Sequence, residues 1–201
     1  MSRVGRRVAA AQSRFRIRHY RRLSTCSPLG ANPIVLQPVL FLGPGRIELG
    51  RDVEFGWPTS PGFHTGYCHV EVSSPQATIS IGDGAQINND AVLKSEGAGI
   101  TIGARALIGA RVTIYDSDFH ELHPARRRGG TPKSRHVDIG ENAFIGDGVT
   151  VLKGVSVGAD SVVGAGSVVT SSIPAGVVAA GNPARVVREL TEMEDSVTPA
   201  R

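Results

Sequence analysis

The residues best suited to acid–base chemistry lie in the segment 115–136, which holds three of the chain's six histidines. His120 and His123 are there, beside the acids Asp118 and Glu121. An imidazole with a pKa of about 6.5 can exchange a proton near neutral pH, whereas a carboxylate or a lysine needs a large pKa shift to do so. The segment is therefore where we expect a general base, with His120 and His123 as its two candidates.

A repeat on both sides of this segment must position it. Over Val137–Thr170 every sixth residue is aliphatic: Ile139, Ile145, Val151, Val157, Val163 and Val169. This period matches neither an α-helix nor a plain strand. It suits a short strand followed by a sharp corner, and three such units close a triangular coil of about 18 residues. Coils stacked at the strand spacing of about 4.8 Å form a β-solenoid, in which small polar corner residues such as Asn142, Asp147 and Asp160 tolerate a positive φ.

The same repeat extends towards the N-terminus, with interruptions. It begins weakly at Ile47, gives way to a Pro- and Gly-containing loop at 57–69, and returns at Ile79. Between Ile114 and Ile139 it is suspended, so the histidine segment is predicted to be a loop extruded from the stack. We estimate about five coils in all.

These boundaries predict three parts of the chain: a basic lead-in segment at 1–45, the solenoid at 46–187, and a terminal helix with a tail at 188–201. Pro174 and the turn at 181–183 end the stack, and Val186–Met193 is predicted to form the short C-terminal helix.

The positive charge of the chain is concentrated at its start. Residues 1–22 hold eight arginines and no acid, so the net charge of +4 leaves the remainder at −4. A nucleic-acid partner is therefore not expected. The two cysteines, Cys26 and Cys68, follow no metal or disulfide spacing, which predicts a reducing compartment and a cytoplasmic location.

Three interpretations remain open for the arginine-rich start. Val4, Val8, Ala11 and Phe15 have helical spacing among the arginines, as in an amphipathic helix that contacts anionic lipid as a peripheral anchor. The alternatives are a loosely ordered, solvated arm that packs on the first coil, and a mitochondrial transit peptide.

The solenoid segment resembles a known family. The words IGENAFIG (139–146), GVSVG (154–158), GAGSVVT (164–170) and AGNPAR (180–185) are similar to the C-terminal half of the hexapeptide-repeat O-acetyltransferases. This family includes the maltose and galactoside acetyltransferases and capsular-polysaccharide relatives, and the resemblance covers roughly residues 79–190. It implies an all-β fold, the left-handed parallel β-helix, assembled as a homotrimer. It also implies acetyl-CoA as donor and a hydroxyl of a sugar, glycan or related compound as acceptor, without a metal.

The resemblance assigns roles within the loop. Family members carry a catalytic histidine there, and His120, in the run HELHP, is the matching position, with one extra residue between it and Ile114. His123 is the alternative base and otherwise a predicted acceptor-binding residue. Asp118 belongs to the same acceptor-binding set, and either Asp118 or Glu121 can orient the imidazole. Asn89 stands at the offset of the family's acceptor-binding asparagine, although asparagine is also common at an ordinary solenoid corner.

Donor-binding positions follow from the same resemblance. The pantetheine arm of CoA is expected in a groove between subunits, where the backbone at Gly146, Ala165 and Gly166 allows close approach. Thr170 matches a further contact. Arg185 and Arg188 match the contacts to the phosphates of CoA, and on a helix they would share one side.

Two other functions are compatible with a solenoid of this type. A zinc hydratase of the γ-carbonic-anhydrase type needs three histidines from adjoining coils and subunits, but His120, His123 and His136 all lie in one loop region. A non-enzymatic scaffold would not need the loop or the two C-terminal arginines.

Overall fold

The computed structural model of the protein describes residues 3–190. Strands from Leu29 onward wind into a triangular parallel solenoid, and an N-terminal helix, α1 (Arg3–Leu23), precedes it. The three sides of the prism are sheets that we name A, B and C, and successive strands visit them in turn until the last two strands, which both belong to sheet B.

Each sheet takes one strand from every coil. Sheet A consists of β1 (Leu29–Gly30), β4 (Arg46–Leu49), β7 (Thr78–Ile81), β10 (Ile100–Ile102), β13 (Val137–Ile139) and β16 (Ser156–Val157). Sheet B consists of β2 (Ile34–Val35), β5 (Glu54–Phe55), β8 (Gln86–Ile87), β11 (Leu107–Ile108), β14 (Phe144–Ile145), β17 (Val162–Val163), β19 (Val177–Gly181) and β20 (Ala184–Glu189). Sheet C consists of β3 (Val39–Leu42), β6 (Cys68–Val72), β9 (Val92–Ser95), β12 (Thr113–Tyr115), β15 (Thr150–Val151) and β18 (Val168–Val169).

The six-residue repeat sets the stacking register. Ile139 pairs with Val157 and Ile145 pairs with Val163, so one coil takes 157 − 139 = 18 residues. The side chains at these positions are fully buried along the axis of the prism. Each buried aliphatic side chain stabilises the fold by about 1.5–3 kcal/mol, so the stacked column is the hydrophobic core.

Two of the three polar corner residues adopt the positive φ that the sequence predicts. Asn142 and Asp160 adopt φ of 56°, whereas beside Asp147 it is Gly148, with φ of 67°, that takes the left-handed conformation. The Asp147 carboxylate instead accepts a hydrogen bond of 2.8 Å from the Ala110 amide of the preceding coil. Asp147 therefore connects coils rather than forming the left-handed turn.

Insertions leave the stack where the repeat is broken. One loop, 56–67, separates β5 from β6, and a longer one, 116–136, separates β12 from β13. The register survives both loops, because Ile47 pairs with Ile79 and Ile102 pairs with Ile139. The loops are therefore extruded without disturbing the core.

The solenoid begins earlier than the predicted boundary at residue 46. β1, β2 and β3 form a coil over 29–42 that pairs with the next one, which gives six coils rather than about five. This first coil closes the end of the prism, so Leu29 and Ile34 are about half exposed and the aliphatic pattern is weak there. Residues 3–23 are a regular helix rather than a loosely ordered arm. No helix among residues 3–190 is long and apolar enough to cross a membrane.

The predicted C-terminal helix is wrong for the part that the structure describes. Val186–Glu189 belong to β20, which runs antiparallel to β19. Gly181, with φ of 108°, begins the turn between the two strands. The hairpin satisfies the backbone groups of the sheet B edge, which a helix at this position would leave unpaired. Residues 191–201, including the predicted end of the helix at Met193, lie outside the described residues.

Candidate active site

The histidine loop leaves the prism through a narrow neck. Its outgoing and returning strands are hydrogen-bonded to each other, with the Arg135 amide donating to the Asp116 carbonyl at 2.8 Å. The Asp118 amide donates to the Lys133 carbonyl at 3.2 Å, and Ser117 and Ser134 form an antiparallel bridge between them. The neck therefore fixes where the loop starts and ends.

A buried carboxylate anchors this neck. Asp116 is fully buried and accepts hydrogen bonds from the backbone amides of 96–99, at 2.8–3.2 Å, and from the Ser95 hydroxyl at 2.7 Å. Five donors on one carboxylate compensate the cost of burying a charge. The neighbouring Ser117 hydroxyl donates to Glu96, so the anchor has a second attachment to the same segment.

The donors come from a smaller insertion in the preceding coil. Ile79 pairs with Ile100, which is 100 − 79 = 21 residues and hence three more than the regular coil of 18. The extra residues fall around Gly97–Gly99, where the consecutive amides turn inward to Asp116. The short insertion thus supplies the hydrogen-bond donors that anchor the neck of the longer one, the 116–136 loop.

Phe119, the residue before His120, forms a left-handed turn in the backbone. Its φ of 58° is left-handed, an unusual conformation for a bulky residue. The Phe119 ring makes an edge contact with Tyr115, with 5.0 Å between centroids, and the Lys94 ammonium lies 5.1 Å from its centroid. These contacts hold a strained backbone in place, which is a common feature of functional loops. His120, the next residue, is exposed.

The carboxylates of the two acids proposed to orient the imidazole have different partners. Glu121 forms an ion pair with Arg126 at 3.7 Å within the loop. Asp118 binds Lys153 of the following coil through Oδ1, while its Oδ2 is buried and has no hydrogen-bond partner among residues 3–190. A buried acceptor without a partner is costly. Asp118 therefore keeps one buried acceptor atom without a partner, and neither acid is hydrogen-bonded to His120 within the described residues.

The other loop histidines have separate surroundings. His123 is exposed and precedes a 3₁₀ turn, Pro124–Arg126. His136 lies at the end of the loop, 3.1 Å from the Thr101 hydroxyl and 3.1 Å from the Ala98 carbonyl. Within residues 3–190 no three His, Cys, Asp or Glu side chains are grouped as metal ligands.

Asn89 is a structural residue in this conformation. It is fully buried, its amide NH2 donates to the carbonyls of Trp57, Ser60 and Pro61 at 3.0 Å, and its Oδ1 accepts from the Trp57 amide at 2.9 Å. It holds the 56–67 loop, and its fully buried side chain is not accessible to an acceptor in this conformation. The adjacent Asn88 is partly exposed and contacts the Ser60 hydroxyl at 2.9 Å.

Sheet B carries an open pocket of about 290 Å³ beside this loop. Its walls include the exposed apolar side chains of Trp57, Leu107 and Phe144. Glu54, Gln86, Asn88 and Asp147 add polar groups. Aromatic surfaces with a few hydrogen-bonding groups are typical of sites for small organic ligands. No residue of the 116–136 loop lines this pocket in the single chain.

The predicted donor-binding positions lie along the last two coils. Ala165, Gly166 and Thr170 are exposed, and a Cβ atom on Gly166, whose φ is 71°, would meet open space. Gly146 has a different role, because it is buried and its Cβ would lie 2.7 Å from the Ala165 amide nitrogen. Glycine at 146 is required by coil packing rather than by the approach of a ligand.

Arg185 and Arg188 lie on β20 and not on a helix. They pair with Ala180 and Val178, two outward positions of β19, and a bulge between these pairs adds one residue to β20. Because cross-strand partners point to the same face, both arginines lie on the outer face of the hairpin. Both are exposed, so they can still bind one anionic ligand together.

Neither cysteine has the properties of a nucleophile. Burial raises the pKa of the Cys68 thiol to about 12, and partial burial also raises the pKa of Cys26. Both thiols therefore stay protonated near neutral pH, which makes them poor nucleophiles.

Comparison with known proteins identifies the family. The profile described as bacterial transferase hexapeptide (six repeats) matches residues 136–171. Over 147 residues the chain is 43% identical to nodulation protein L of Rhizobium meliloti, and this alignment covers 73% of each protein. The chain belongs to the hexapeptide-repeat acetyltransferases, and its fold, as predicted, is the left-handed parallel β-helix.

Two further relatives match over shorter segments. YJL218W of Saccharomyces cerevisiae, whose name places it among acetyltransferases, is 41% identical over 125 residues, or 62% of this chain and 63% of the yeast protein. Galactoside O-acetyltransferase of Escherichia coli K12 is 43% identical over 95 residues, or 47% of this chain and 46% of the enzyme. The matched segment thus spans less than two thirds of either relative.

A solved structure matches nearly the whole chain. The hexapeptide-repeat acetyltransferase VCA0836 of Vibrio cholerae O1, crystallised with acetyl coenzyme A, superposes with a TM-score of 0.57 and 27% identity. The superposition covers 92% of this chain and 85% of the other.

The anchored neck gives the first testable prediction. Replacing Asp116 by Asn removes the charge and turns one donor group towards backbone amides. Because an unsatisfied buried donor costs about 1–3 kcal/mol, we expect the free energy of unfolding to fall by that amount. We also expect trypsin to cleave the exposed run Arg126–Arg128 faster.

The control is Asp52→Asn, at an exposed corner with φ of 56°, a conformation that asparagine also tolerates. It should change stability by less than about 0.5 kcal/mol. Equal unfolding and proteolysis in the Asp116 variant and the wild type would contradict the proposed anchor.

Proposed function

We propose that the chain transfers an acetyl group from acetyl-CoA to a hydroxyl of a sugar, glycan or related acceptor, with His120 as general base. The observation that carries this proposal is the placement of His120 on an exposed loop whose neck is fixed by Asp116. Membership of the acetyltransferase family and the similarity to galactoside O-acetyltransferase and to the acetyl-CoA complex of VCA0836 support it.

The reaction needs only one proton carrier. The imidazole of His120 takes the proton of the acceptor hydroxyl, and the resulting oxygen nucleophile attacks the thioester carbonyl carbon. The tetrahedral intermediate then breaks its C–S bond, and the thiolate of CoA receives the proton from the imidazolium. Asp118 Oδ2, which lacks a partner among the described residues, is suited to hold the ring N–H that does not transfer. No covalent enzyme intermediate is involved.

The pocket on sheet B is our candidate for the acceptor and the reacting end of the donor. Trp57 and Phe144 provide apolar surfaces for the C–H faces of a sugar ring, and Glu54, Asn88 and Asp147 provide partners for hydroxyl groups. Asn88 takes over the acceptor-binding role that the sequence suggested for Asn89. His123 stays a predicted acceptor contact.

Acetyl-CoA is proposed to lie along the last two coils. The pantetheine arm would follow the exposed backbone at Ala165 and Gly166, with Thr170 beside it. Arg185 and Arg188 would bind the phosphates, for which guanidinium groups are well matched. A cytoplasmic location stays a prediction.

A trimer would complete this site. The pocket lies on sheet B, whereas Phe119 of the His120 loop contacts Lys94 and Tyr115 of sheet C. Two faces of one prism cannot close on each other, but neighbouring prisms can bring sheet B of one copy to the loop of the next. The half-exposed apolar side chains on sheet B also favour burial against another copy.

Replacing His120 by Ala tests the proposed base. General-base catalysis contributes about 10²–10⁴-fold, so we expect kcat to fall by that factor while the KM for acetyl-CoA stays unchanged. The rise of kcat with pH that an imidazole base produces should also disappear. The measurement is thiol release from acetyl-CoA with a panel of glycosides, glycan fragments and nucleotide sugars.

His123→Ala is the matched control and should have a much smaller effect. An inactive His123→Ala enzyme beside an active His120→Ala enzyme would transfer the role to His123. Full activity of both variants would eliminate a histidine base in this loop and favour a scaffold.

The double substitution of Arg185 and Arg188 by Ala tests donor binding. Losing charge-assisted hydrogen bonds to phosphate costs about 1.5–3 kcal/mol, so the KM for acetyl-CoA should rise by about tenfold or more. We expect a much smaller change in kcat, and calorimetry should show the same loss of affinity. Arg51→Ala, at an exposed corner, is the control. An unchanged KM in the double variant would refute the phosphate assignment.

Replacing Leu107 by Glu tests the trimer. Light scattering of the wild type should give about 63 kDa, three times the 21.1 kDa chain. A charge at this half-exposed apolar position of sheet B should dissociate the trimer, because it would be buried without a partner. Thr78→Glu, exposed on sheet A, is the control. A monomeric wild type that binds acetyl-CoA normally would overturn the trimer.

A further inference from the structure

Helix α1 is attached to the solenoid by one face. Its partly buried residues on that face are Ala9, Ser13, Arg16, Ile17 and Tyr20. The Arg16 guanidinium donates to the carbonyls of Phe63 and Gly66, and Tyr20 packs against Tyr67 with 4.7 Å between ring centroids.

The chain after the helix adds further attachments. The Ser24 hydroxyl accepts from the Phe41 amide at 3.1 Å, and the Thr25 amide donates to the Phe41 carbonyl at 2.9 Å. Because one face of α1 and the residues that follow its C-terminal end are both bound to the solenoid, α1 keeps a fixed orientation relative to the solenoid.

The opposite face of α1 combines apolar and cationic side chains. Val8, Ala11 and Phe15 recur at three- and four-residue spacing, with Val8 62% and Phe15 70% exposed. With 3.6 residues per turn they form a stripe along the helix. The exposed arginines flank or extend this stripe: Arg14, Arg18, Arg21 and Arg22.

These arginines have no acidic partner in the described chain. Helix α1 contains no acidic residue, and none of its arginines from Arg14 onward is in an ion pair within residues 3–190. The rest of the chain is net acidic, so the positive charge is displayed on this helix. A surface of this kind is complementary to an anionic partner.

We propose that the outer face of α1 docks the protein on anionic lipid, with the helix lying flat in the headgroup region. Its 21 residues span about 30 Å, enough to place the whole apolar stripe in one interface. Phe15 and Val8 enter the boundary with the acyl chains, and the arginines bind lipid phosphates through their long side chains. This role goes beyond the proposed catalysis, because it concerns where the enzyme works.

The apolar stripe is what favours lipid over another polyanion. Arginines alone would bind nucleic acid as well as phospholipid. The stripe of Val8, Ala11 and Phe15 gains binding free energy from the acyl region of a bilayer, whereas a duplex with its bases stacked inside offers no comparable apolar phase.

The test is co-sedimentation of the full chain with vesicles of phosphatidylcholine, with and without phosphatidylglycerol. We expect binding only to the anionic vesicles, weakening as salt is raised. Replacing Arg14, Arg18 and Arg22 by Gln should lower the partition coefficient by about a hundredfold. Phe15→Ala should lower it by about tenfold.

The matched control replaces three exposed arginines of the solenoid, Arg46, Arg51 and Arg105, by Gln. It changes the net charge equally and should leave vesicle binding unchanged. Thermal unfolding of each variant verifies that the fold is retained.

Three outcomes would overturn the proposal. The first is equal sedimentation of the wild type and the α1 arginine variant. The second is equal loss in the control variant, which would show that net charge alone matters. The third is binding of the wild type to duplex DNA but not to anionic vesicles, which would make α1 a nucleic-acid surface.

Discussion

The structure depends on the fixed length of the coil. A regular coil takes 18 residues, and every coil, whatever its length, must return to the same hydrogen-bonding position because its aliphatic side chains stack on those of its neighbours. Extra residues can therefore be accommodated only by leaving the prism at a corner. This constraint turns each insertion into a surface feature with rigid ends, and the protein uses it to present a long polar loop from an inflexible core.

A loop with rigid ends is still free in the middle unless something anchors it. Here the anchor is a buried carboxylate, Asp116, bound by the amides of a three-residue insertion in the coil below. The ion pair of Asp118 with Lys153 binds the loop to the coil above. The insertions in two neighbouring coils thus depend on each other. Together with the Phe119 contacts, these two anchors restrain the backbone around His120. If His120 is the general base, as proposed, this fixed placement would favour efficient proton transfer.

The six-residue period was enough to predict the solenoid, its core column and both extruded loops, because burial along the axis controls that pattern. The first coil escaped prediction since a terminal coil buries less and includes the polar, buried Gln37. The C-terminal strand was predicted as a helix because Val186, Val187 and Leu190 have helical spacing. The sheet edge with which β20 pairs exists only in the assembled fold and leaves no local pattern in the sequence. The partner of Asn89 could not be seen either, since its hydrogen bonds reach a loop about 30 residues away in sequence.

We expect the anchored loop to bring His120 to the thioester of acetyl-CoA. A crystal structure of the protein with acetyl-CoA and no metal would show whether the two meet. We expect a trimer with one CoA in each groove between subunits, the acetyl group beside His120 and the sheet B pocket, and the phosphates at Arg185 and Arg188. A donor bound elsewhere, with its thioester out of reach of His120 from every subunit, would show that this loop does not serve the reaction.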